Sequence, residues 1–511
     1  MVSFGYHPLP RSGATIARPS PARPQRPAST PAAPARRRRG ERPAPSPPPA
    51  LFAYQQAGID FAQKTNYRCL IADEPGLGKT AQALGCIARD PDLLPAVVIA
   101  PPSTIIPTWC REVKLWLGRD MPVAYLQGRS DHLPPESWRG VLIVSWAILQ
   151  DFVPKIVKWK PRLLIADEVH FAKEEDSQRG AALESLARRL PHMILLTGTP
   201  LINRAGELHR LLDLIAPGRF GEVSDFEDLA DENPALLREK ISQVMIRRLF
   251  AAEQPGIPPK TRHVHPVTLS GRIEREYRLA QQEWERWLDV RLPELVAREY
   301  SKRGIPPKSA SRDIAAIVEQ RARRALDNEA LVKAGRLRQI VGEAKAPEAA
   351  RLAAELLARG RSVVLFAEHG AVVALIRTYL IERRARHVVI DGSTRQEERA
   401  DIIERFQDER RPARILLCTR AAYAGITLTR AAHMIFAERW WTCVEDDQAE
   451  GRIYRLRQTR PTHVIYLHAE DTIDDRMEEL VRDKRELIRT LIGVTDARIG
   501  GQAPPAVNAS M

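Results

Sequence analysis

The sequence predicts an α/β protein of two lobes, each a parallel sheet flanked by helices, with a helical insertion between them and a disordered N-terminal tail. Three observations predict it. Apolar runs of four or five residues recur, each bounded by Pro, Gly or charge. Helix-like stretches separate them. The whole alternation then occurs a second time, in a block of similar layout. Runs that are apolar throughout suit strands covered on both faces, as in parallel sheets with helical crossovers.

Residues 1–50 hold 13 Pro, nine Arg, one Glu and no Lys, including the run Arg36–Arg39. Such a segment cannot bury enough apolar surface to offset its ordering entropy. A disordered tail is expected, with non-specific phosphate contact as its available chemistry. The first lobe is expected over 51–235. Its strand candidates are Cys69–Ala72, Ala96–Ala100, Val141–Val144, Leu163–Ala166 and Met193–Leu196, with helices over Thr80–Arg89 and Gln178–Arg189. Residues 236–335 are rich in charge and helix formers, as in Arg272–Leu292 and Ser311–Leu331. They are expected to form an all-helical insertion, with strand character only near His263–Leu269. The second lobe, 336–495, offers strands at Val363–Phe366, His387–Ile390, Ile415–Cys418, His433–Phe436 and His463–Leu467. Helices over Pro347–Arg359 and Arg395–Gln407 separate them. Residues 496–511 are expected to be a flexible tail.

The formal net charge is +14, of which the first 50 residues carry +8, leaving +6 for the remainder. A polyanionic partner is compatible with this balance, although the folded part is only mildly basic. The five cysteines are scattered and form no CxxC pair, so neither a zinc site nor a disulfide framework is expected. No run of 18 apolar residues exists, so no membrane span is expected. No N-terminal apolar stretch suits a secretory signal. Residence in a reducing cytoplasm follows as the expectation.

Four segments carry chemistry. The first is Asp73-Glu74-Pro75-Gly76-Leu77-Gly78-Lys79-Thr80, which follows one apolar run and opens a helix. That is the strand–loop–helix setting of a phosphate loop. Gly76 and Gly78 let backbone N–H groups approach phosphate oxygens, Lys79 reaches the β- and γ-phosphates, and the Thr80 hydroxyl suits Mg²⁺. Asp73, Glu74 and Leu77 complete the expected nucleotide-binding loop. The second segment is a strand ending in Asp167-Glu168-Val169-His170. Asp167 would hold the metal, Glu168 would set the attacking water, and His170 would couple that site to the other lobe. The third, Thr197-Gly198-Thr199-Pro200, is a polar turn after a strand and a second coupling candidate. The fourth is Gln448–Gln458. Arg452 and Arg455 lie three apart there, so they are expected to share one helix face and reach a γ-phosphate from the facing lobe.

In this order and wording the four segments resemble a superfamily 2 helicase, and in detail the Swi/Snf-type branch of DNA translocases. The resemblance covers about residues 51–490. Leu51–Ile59 is similar to that branch's opening segment, in which the glutamine matching Gln55 contacts adenine. Asp73–Thr80 is similar to its DExGLGKT loop. Val98–Ser103 with Trp109 resembles motif Ia, Val141–Trp146 motif Ib, and Asp167–His170 a DEAH-box variant. Thr197–Arg204 with Glu207-Leu208 resembles TGTPxxNxxxEL. Met245-Ile246-Arg247-Arg248 and Ile257-Pro258-Pro259-Lys260 match two landmarks of the branch. Val364-Leu365-Phe366, Thr419–Leu428 and Gln448–Gln458 resemble motifs IV, V and VI. Arg457 stands where the branch usually has Gly, and Gly451 where it often has Asp. The wording of motifs V and VI is nearest to annealing, fork-remodelling helicases.

The resemblance implies two RecA-like lobes, ATP and Mg²⁺ as cofactors, and duplex or forked DNA as partner of a monomeric ATP hydrolase. It adds Gly425 and Gln448 to the nucleotide contacts. It places Ser103, Ser145 and Thr419 on DNA phosphates, contacts that carry position and little sequence information. DNA repair is among the roles such an enzyme serves. Two other readings compete: a strand-separating DEAD/DEAH-type helicase acting on DNA or RNA, and a non-catalytic nucleotide-binding scaffold. The two branch landmarks argue against the first, and the intact Lys79, Asp167, Glu168, Arg452 and Arg455 against the second.

Overall fold

A computed structural model describes residues 49–172, 177–200, 205–420, 426–440 and 442–493. The tail expected at 1–50 lies outside the described residues except for its last two, and so does the tail expected at 496–511. The first sheet comprises β1 (Arg68–Ile71), β2 (Ala96–Ala100), β3 (Val123–Leu126), β4 (Val141–Ser145), β5 (Leu163–Asp167), β6 (His192–Leu196) and β7 (Met245–Ile246). Their order is β3-β4-β2-β5-β6-β1-β7 and every pairing is parallel. The second sheet comprises β8 (Lys260–Val267), β9 (Val363–Phe366), β10 (His387–Ile390), β11 (Ile415–Cys418), β12 (His433–Phe436) and β13 (Thr462–Ala469). It is also all parallel, in the order β10-β11-β9-β12-β13-β8.

The inner strands are apolar at every position because both faces are covered. Leu70, Val97, Leu142, Leu164 and Leu195 pack into one layer of helices, and Cys69, Val98, Ile143, Ile165 and Ile194 into the other. Each of these ten side chains is fully buried. Burying an aliphatic side chain of this size stabilises by about 1.5–3 kcal/mol, so the strand runs are the dominant folding signal.

Three features depart from the sequence reading. The segment expected to be helical contributes β7 to the edge of the first sheet, and the strand character expected near His263–Leu269 is β8, which starts three residues earlier at the edge of the second. β8 reads Lys-Thr-Arg-His-Val-His-Pro-Val and is largely exposed, so it has no apolar run to announce it. Parallel pairing with β13 over eight residues holds it in place. β3 was not expected either, since only Leu126 of its four residues is buried at that sheet edge. Finally, the C-terminal helix Ile473–Leu491 is not confined to the second lobe. Met477 packs with Tyr277 and Leu337, whereas Leu491 and Ile492 enter the core of the first lobe. Arg238 Nε donates to the Thr490 carbonyl at 3.1 Å and fixes that return.

Since the strands of each sheet all run one way, every turn leaving a strand gathers at one edge. Every turn entering a strand gathers at the opposite edge. Three of the chemistry-bearing segments directly leave strands, β1, β5 and β6, and the fourth lies in the helix and turn that lead into β13.

Candidate nucleotide site and its coupling

The phosphate loop joins β1 to the helix Lys79–Arg89. Gly78 caps that helix at φ 71° and Gly76 sits at φ 96°, backbone conformations that side chains resist. Space also requires glycine at 78, since a Cβ there would lie 2.4 Å from Gln55 Nε2. Gln55 itself is buried. Its Nε2 donates to the Leu77 carbonyl at 3.2 Å, and its Oε1 accepts from the Phe52 N–H at 3.0 Å. Leu77 packs its side chain with Tyr54 and Phe250, so it offers the nucleotide only its backbone. Lys79 Nζ donates to the Asp73 carbonyl at 2.7 Å. Burial pushes the Lys79 pKa down, opposed by the charges of Glu168, Asp73 and Asp167.

Asp73 is a correction. Expected among the nucleotide ligands, its carboxylate is instead fully buried and fully engaged. Arg248 donates to Oδ1 through Nε at 2.9 Å and to Oδ2 through Nη2 at 2.5 Å, and Gln82 Nε2 donates to Oδ2 at 2.8 Å. Glu74 is likewise a strut, accepting the Phe250 N–H at 2.8 Å. The landmark containing Arg247 and Arg248 therefore locks the loop. β7 places both arginines beside β1, and Arg247 Nη1 reaches the carbonyls of Ala72 at 3.2 Å and Gly198 at 3.4 Å. Removing one partner of a buried ion pair costs about 3–5 kcal/mol. Arg248→Ala is expected to lower unfolding free energy by about that amount in a urea titration; a loss under about 1 kcal/mol would show that Asp73 finds another partner.

The acidic segment follows β5. Glu168 adopts φ 50°, a left-handed backbone that is costly for a non-glycine residue and common at functional sites. Two indoles hold Asp167: Trp109 Nε1 donates to Oδ2 at 2.9 Å, and Trp146 Nε1 donates to the main-chain carbonyl at 2.8 Å. Burial and the neighbouring Glu168 push the Asp167 pKa up to about 7. Burial works to raise Glu168 as well, but the hydrogen bond and charge of His170, with Lys79 and Arg452, hold it at about 2. His170 Nδ1 lies 3.3 Å from Glu168 and 3.5 Å from Thr197 Oγ1. Thr197 Oγ1 in turn accepts from the Thr199 N–H at 3.0 Å. The residues expected to couple thus form one chain from Glu168 through His170 to the turn after β6. Gly198 lies against Pro75 and Lys79, where a Cβ would meet Pro75 at 3.1 Å.

The arginine segment arrives from the second lobe. Thr442 caps its helix, Cys443–Ile453, by accepting the Glu445 N–H. The helix ends at Ile453, so Arg452 and Arg455 do not share a helix face. Arg455 lies in the turn beyond, and the Ile426 carbonyl joins the two, 3.5 Å from Arg452 Nη1 and 3.3 Å from Arg455 Nη1. The turn continues through Arg457 at φ 80°, which gives a backbone reason for the glycine usual there. Across the cleft, a Cβ on Gly451 would lie 3.4 Å from Pro75, and one on Gly76 would lie 3.7 Å from Arg455 Cγ. Phe250 and Tyr454 stack edge-on at 5.3 Å. The lysine loop and the arginine turn therefore touch. Gln448 is buried in the same helix, and Gly425 lies outside the described residues.

Sequence reasoning missed what holds that helix. Glu450 is fully buried and accepts from Lys260 Nζ at 2.6 Å, Arg262 Nε at 2.7 Å and the Tyr466 hydroxyl at 2.7 Å. Lys260, noted only as a landmark, thereby pins the arginine-bearing helix to β8.

The three residues expected on DNA all lie where strands of the sheets end, at or just after β2, β4 and β11. Ser103 is exposed there, and Thr419 is half-buried. Ser145 is a correction: it is buried, and its Oγ accepts the Ala147 N–H at 3.2 Å within its own turn. No phosphate can reach that hydroxyl.

A family model described as the SNF2-related domain matches residues 54–345, and one described as the helicase conserved C-terminal domain matches residues 348–457. Human "DNA annealing helicase and endonuclease ZRANB3" is 26% identical over 463 residues, covering 86% of this chain and 40% of the relative. A Xenopus tropicalis "SWI/SNF-related matrix-associated actin-dependent regulator of chromatin subfamily A-like protein 1" is 27% identical over 460 residues, covering 86% and 44%. The chain thus spans about two fifths of these curated relatives. A solved "Sulfolobus solfataricus SWI2/SNF2 ATPase core in complex with dsDNA" matches at 23% identity and a TM-score of 0.40, over 87% of this chain and 93% of that one. With the SNF2-related model spanning more than half of its residues, the chain belongs to the SNF2-related, Swi/Snf-type branch of the superfamily 2 helicases.

Proposed function

We propose that this protein is a DNA-dependent ATPase that translocates along duplex DNA and remodels branched DNA or protein–DNA structures. One observation carries the reading. Two halves of a phosphoryl-transfer site meet across the cleft, with Pro75 and Gly76 against Gly451 and Arg455 and with the charge of Arg452 bearing on Glu168. The donor set fits a Mg²⁺-nucleotide: Thr80 and Asp167 offer hard oxygen ligands, and a divalent cation would offset the burial and the Glu168 charge that raise Asp167. When bound, the metal would neutralise charge on the transferring phosphoryl group. Lys79 and the loop N–H groups then hold the phosphates, Glu168 orients the water, and the arginine pair completes the site only on closure. DNA seated at the strand-leaving edges of both lobes would favour that closure and so stimulate hydrolysis. A relative named as a DNA annealing helicase supports DNA as the substrate; branched DNA and a DNA-repair setting belong to the proposal.

The test is phosphate release with linear duplex, forked DNA, single-stranded DNA and RNA at one defined salt concentration. Stimulation by duplex or forked DNA is expected. Stimulation by single-stranded RNA alone would replace the reading with a strand-separating helicase.

The indole pair gives a further expectation. Trp109 and Trp146 come from the segments that lead from β2 and β4 towards the proposed DNA edge, so they link it to Asp167. Trp109→Phe keeps a ring and removes the donor to the carboxylate. Loss of such an outer hydrogen bond costs roughly 10–100-fold in metal affinity or activity. A Mg²⁺ titration of DNA-stimulated turnover is expected to show the half-saturating concentration rising; an unchanged titration would remove Trp109 from the pathway.

A further inference from the structure

The edge of the second sheet at which its strands begin has a charge pattern that the function above does not use. Its strands β10, β11, β9, β12 and β13 are parallel neighbours, so the five turns entering them line up along one edge. Those turns, at 383–386, 410–414, 359–361, 430 and 460, hold ten arginines and no lysine. Only Glu382, Asp408 and Glu409 adjoin them, and Asp408 is shared between Arg410 at 2.8 Å and Arg411 at 3.4 Å. Arg359, Arg361, Arg383, Arg384 and Arg386 are exposed. The same edge of the first sheet is mixed, because Asp90, Asp92, Asp120 and Glu136 interleave with its basic residues. High arginine content alone would have loaded both edges alike.

His263, His463 and His433 stack across β8, β13 and β12 at 5.9 and 5.2 Å. Burial, then His463 and the charges of Arg361 and Arg460, push His433 down to about 4. The fixed charge of the rim is guanidinium, whose planar fork matches phosphate oxygens better than an ammonium does. At roughly 4.8 Å per strand the five strands span about 19 Å. That length is occupied by about five or six phosphates of one strand of a duplex.

We propose that this arginine rim is a second nucleic-acid surface, which binds the phosphate backbone of a duplex segment other than the one at the strand-leaving edge. Another arm of a branched DNA meets that description. The proposal rests on the DNA-dependent reading only for the identity of the polyanion. Its test is separable from catalysis, because Arg359, Arg361, Arg383, Arg384 and Arg386 stand on the turns entering β9 and β10 and make none of the contacts described for the nucleotide site.

The test replaces Arg359, Arg361, Arg383, Arg384 and Arg386 together, once with Ala and once with Lys, in the full chain. Binding to a four-way junction and to a linear duplex is measured against salt, alongside duplex-stimulated turnover at saturating DNA. The Ala variant is expected to keep the turnover and to lose at least ~10-fold in junction affinity. Its plot of log K against log salt should flatten by roughly 2–4 units, at ~0.9 for each phosphate no longer neutralised. The Lys variant should retain most of the slope. An unchanged junction affinity and slope in the Ala variant would overturn the proposal, as would a Lys variant that behaves like the Ala one. Absence of any DNA stimulation in the wild type would strike instead at the ATPase reading, while the junction titration would still decide the rim.

Discussion

Lys79→Ala is expected to reduce ATP turnover by at least ~10³-fold, about 4 kcal/mol of barrier, while duplex DNA still binds. The argument starts from position. Lys79 is the first residue of its helix, and Gly78 turns the chain so that the side chain lies back over the loop. Its ammonium rests on the Asp73 carbonyl, with Glu168 and Asp167 as its nearest charges. The neighbouring Arg247 and Arg248 cannot replace it, since they are committed to the loop's carbonyls and to Asp73. Its loss should leave the fold intact, because Lys79 is only partly buried and its short hydrogen bond is to a single main-chain carbonyl. Phosphate release and fluorescence anisotropy on a labelled duplex check the two halves of the statement. Normal turnover in the variant would take Lys79 out of the site.

The parts of this site that were legible in the sequence are those whose chemistry demands a fixed residue type at fixed spacing. Gly76, Gly78, Lys79 and the Asp167-Glu168 pair fall in this group, as do the apolar strand runs that carry them. The illegible parts depend on meetings between distant segments. Asp73 reads as a loop residue, yet its partner Arg248 stands 175 positions away and meets it only because β7 pairs with β1. Glu450 reads as one acid in a polar helix, although β8 brings Lys260 and Arg262 onto it. Helical spacing failed for Arg452 and Arg455 for a related reason. The chain leaves the helix between them, and the Leu428 N–H takes the Arg452 carbonyl at 2.8 Å. Ser145 failed because a serine at a strand end can satisfy its own turn as readily as it can face solvent. The edge strand β3 was missed, and β8 was placed only in part, because water on one face weakens the apolar signature.

Replacing Arg452 or Arg455 with Ala is expected to lower DNA-stimulated hydrolysis by roughly 10³-fold or more, the scale of arginine fingers. Nucleotide affinity should stay largely intact. The separation follows from where the two side chains stand. Both donate to the Ile426 carbonyl, so both belong to the second lobe and approach the nucleotide from the wall facing Lys79. Their contribution is therefore reserved for the closed state, in which charge moves onto the transferring oxygens. Lysine substitutions should rescue little, since a point charge cannot span two oxygens as the fork does. The double variant should cost scarcely more than either single one, because the residues act as a unit. Lys260→Met offers the control for a merely structural effect. It leaves both arginines in place but takes one of three donor groups from Glu450, with Arg262 and Tyr466 remaining, so it should lower stability and closure together, whereas the arginine variants should unfold like the wild type. Fluorescent-nucleotide titration, single-turnover hydrolysis and urea denaturation separate these cases. If both arginine variants hydrolyse ATP at the wild-type rate, the two-lobed pocket is not where the chemistry occurs, whatever the fold.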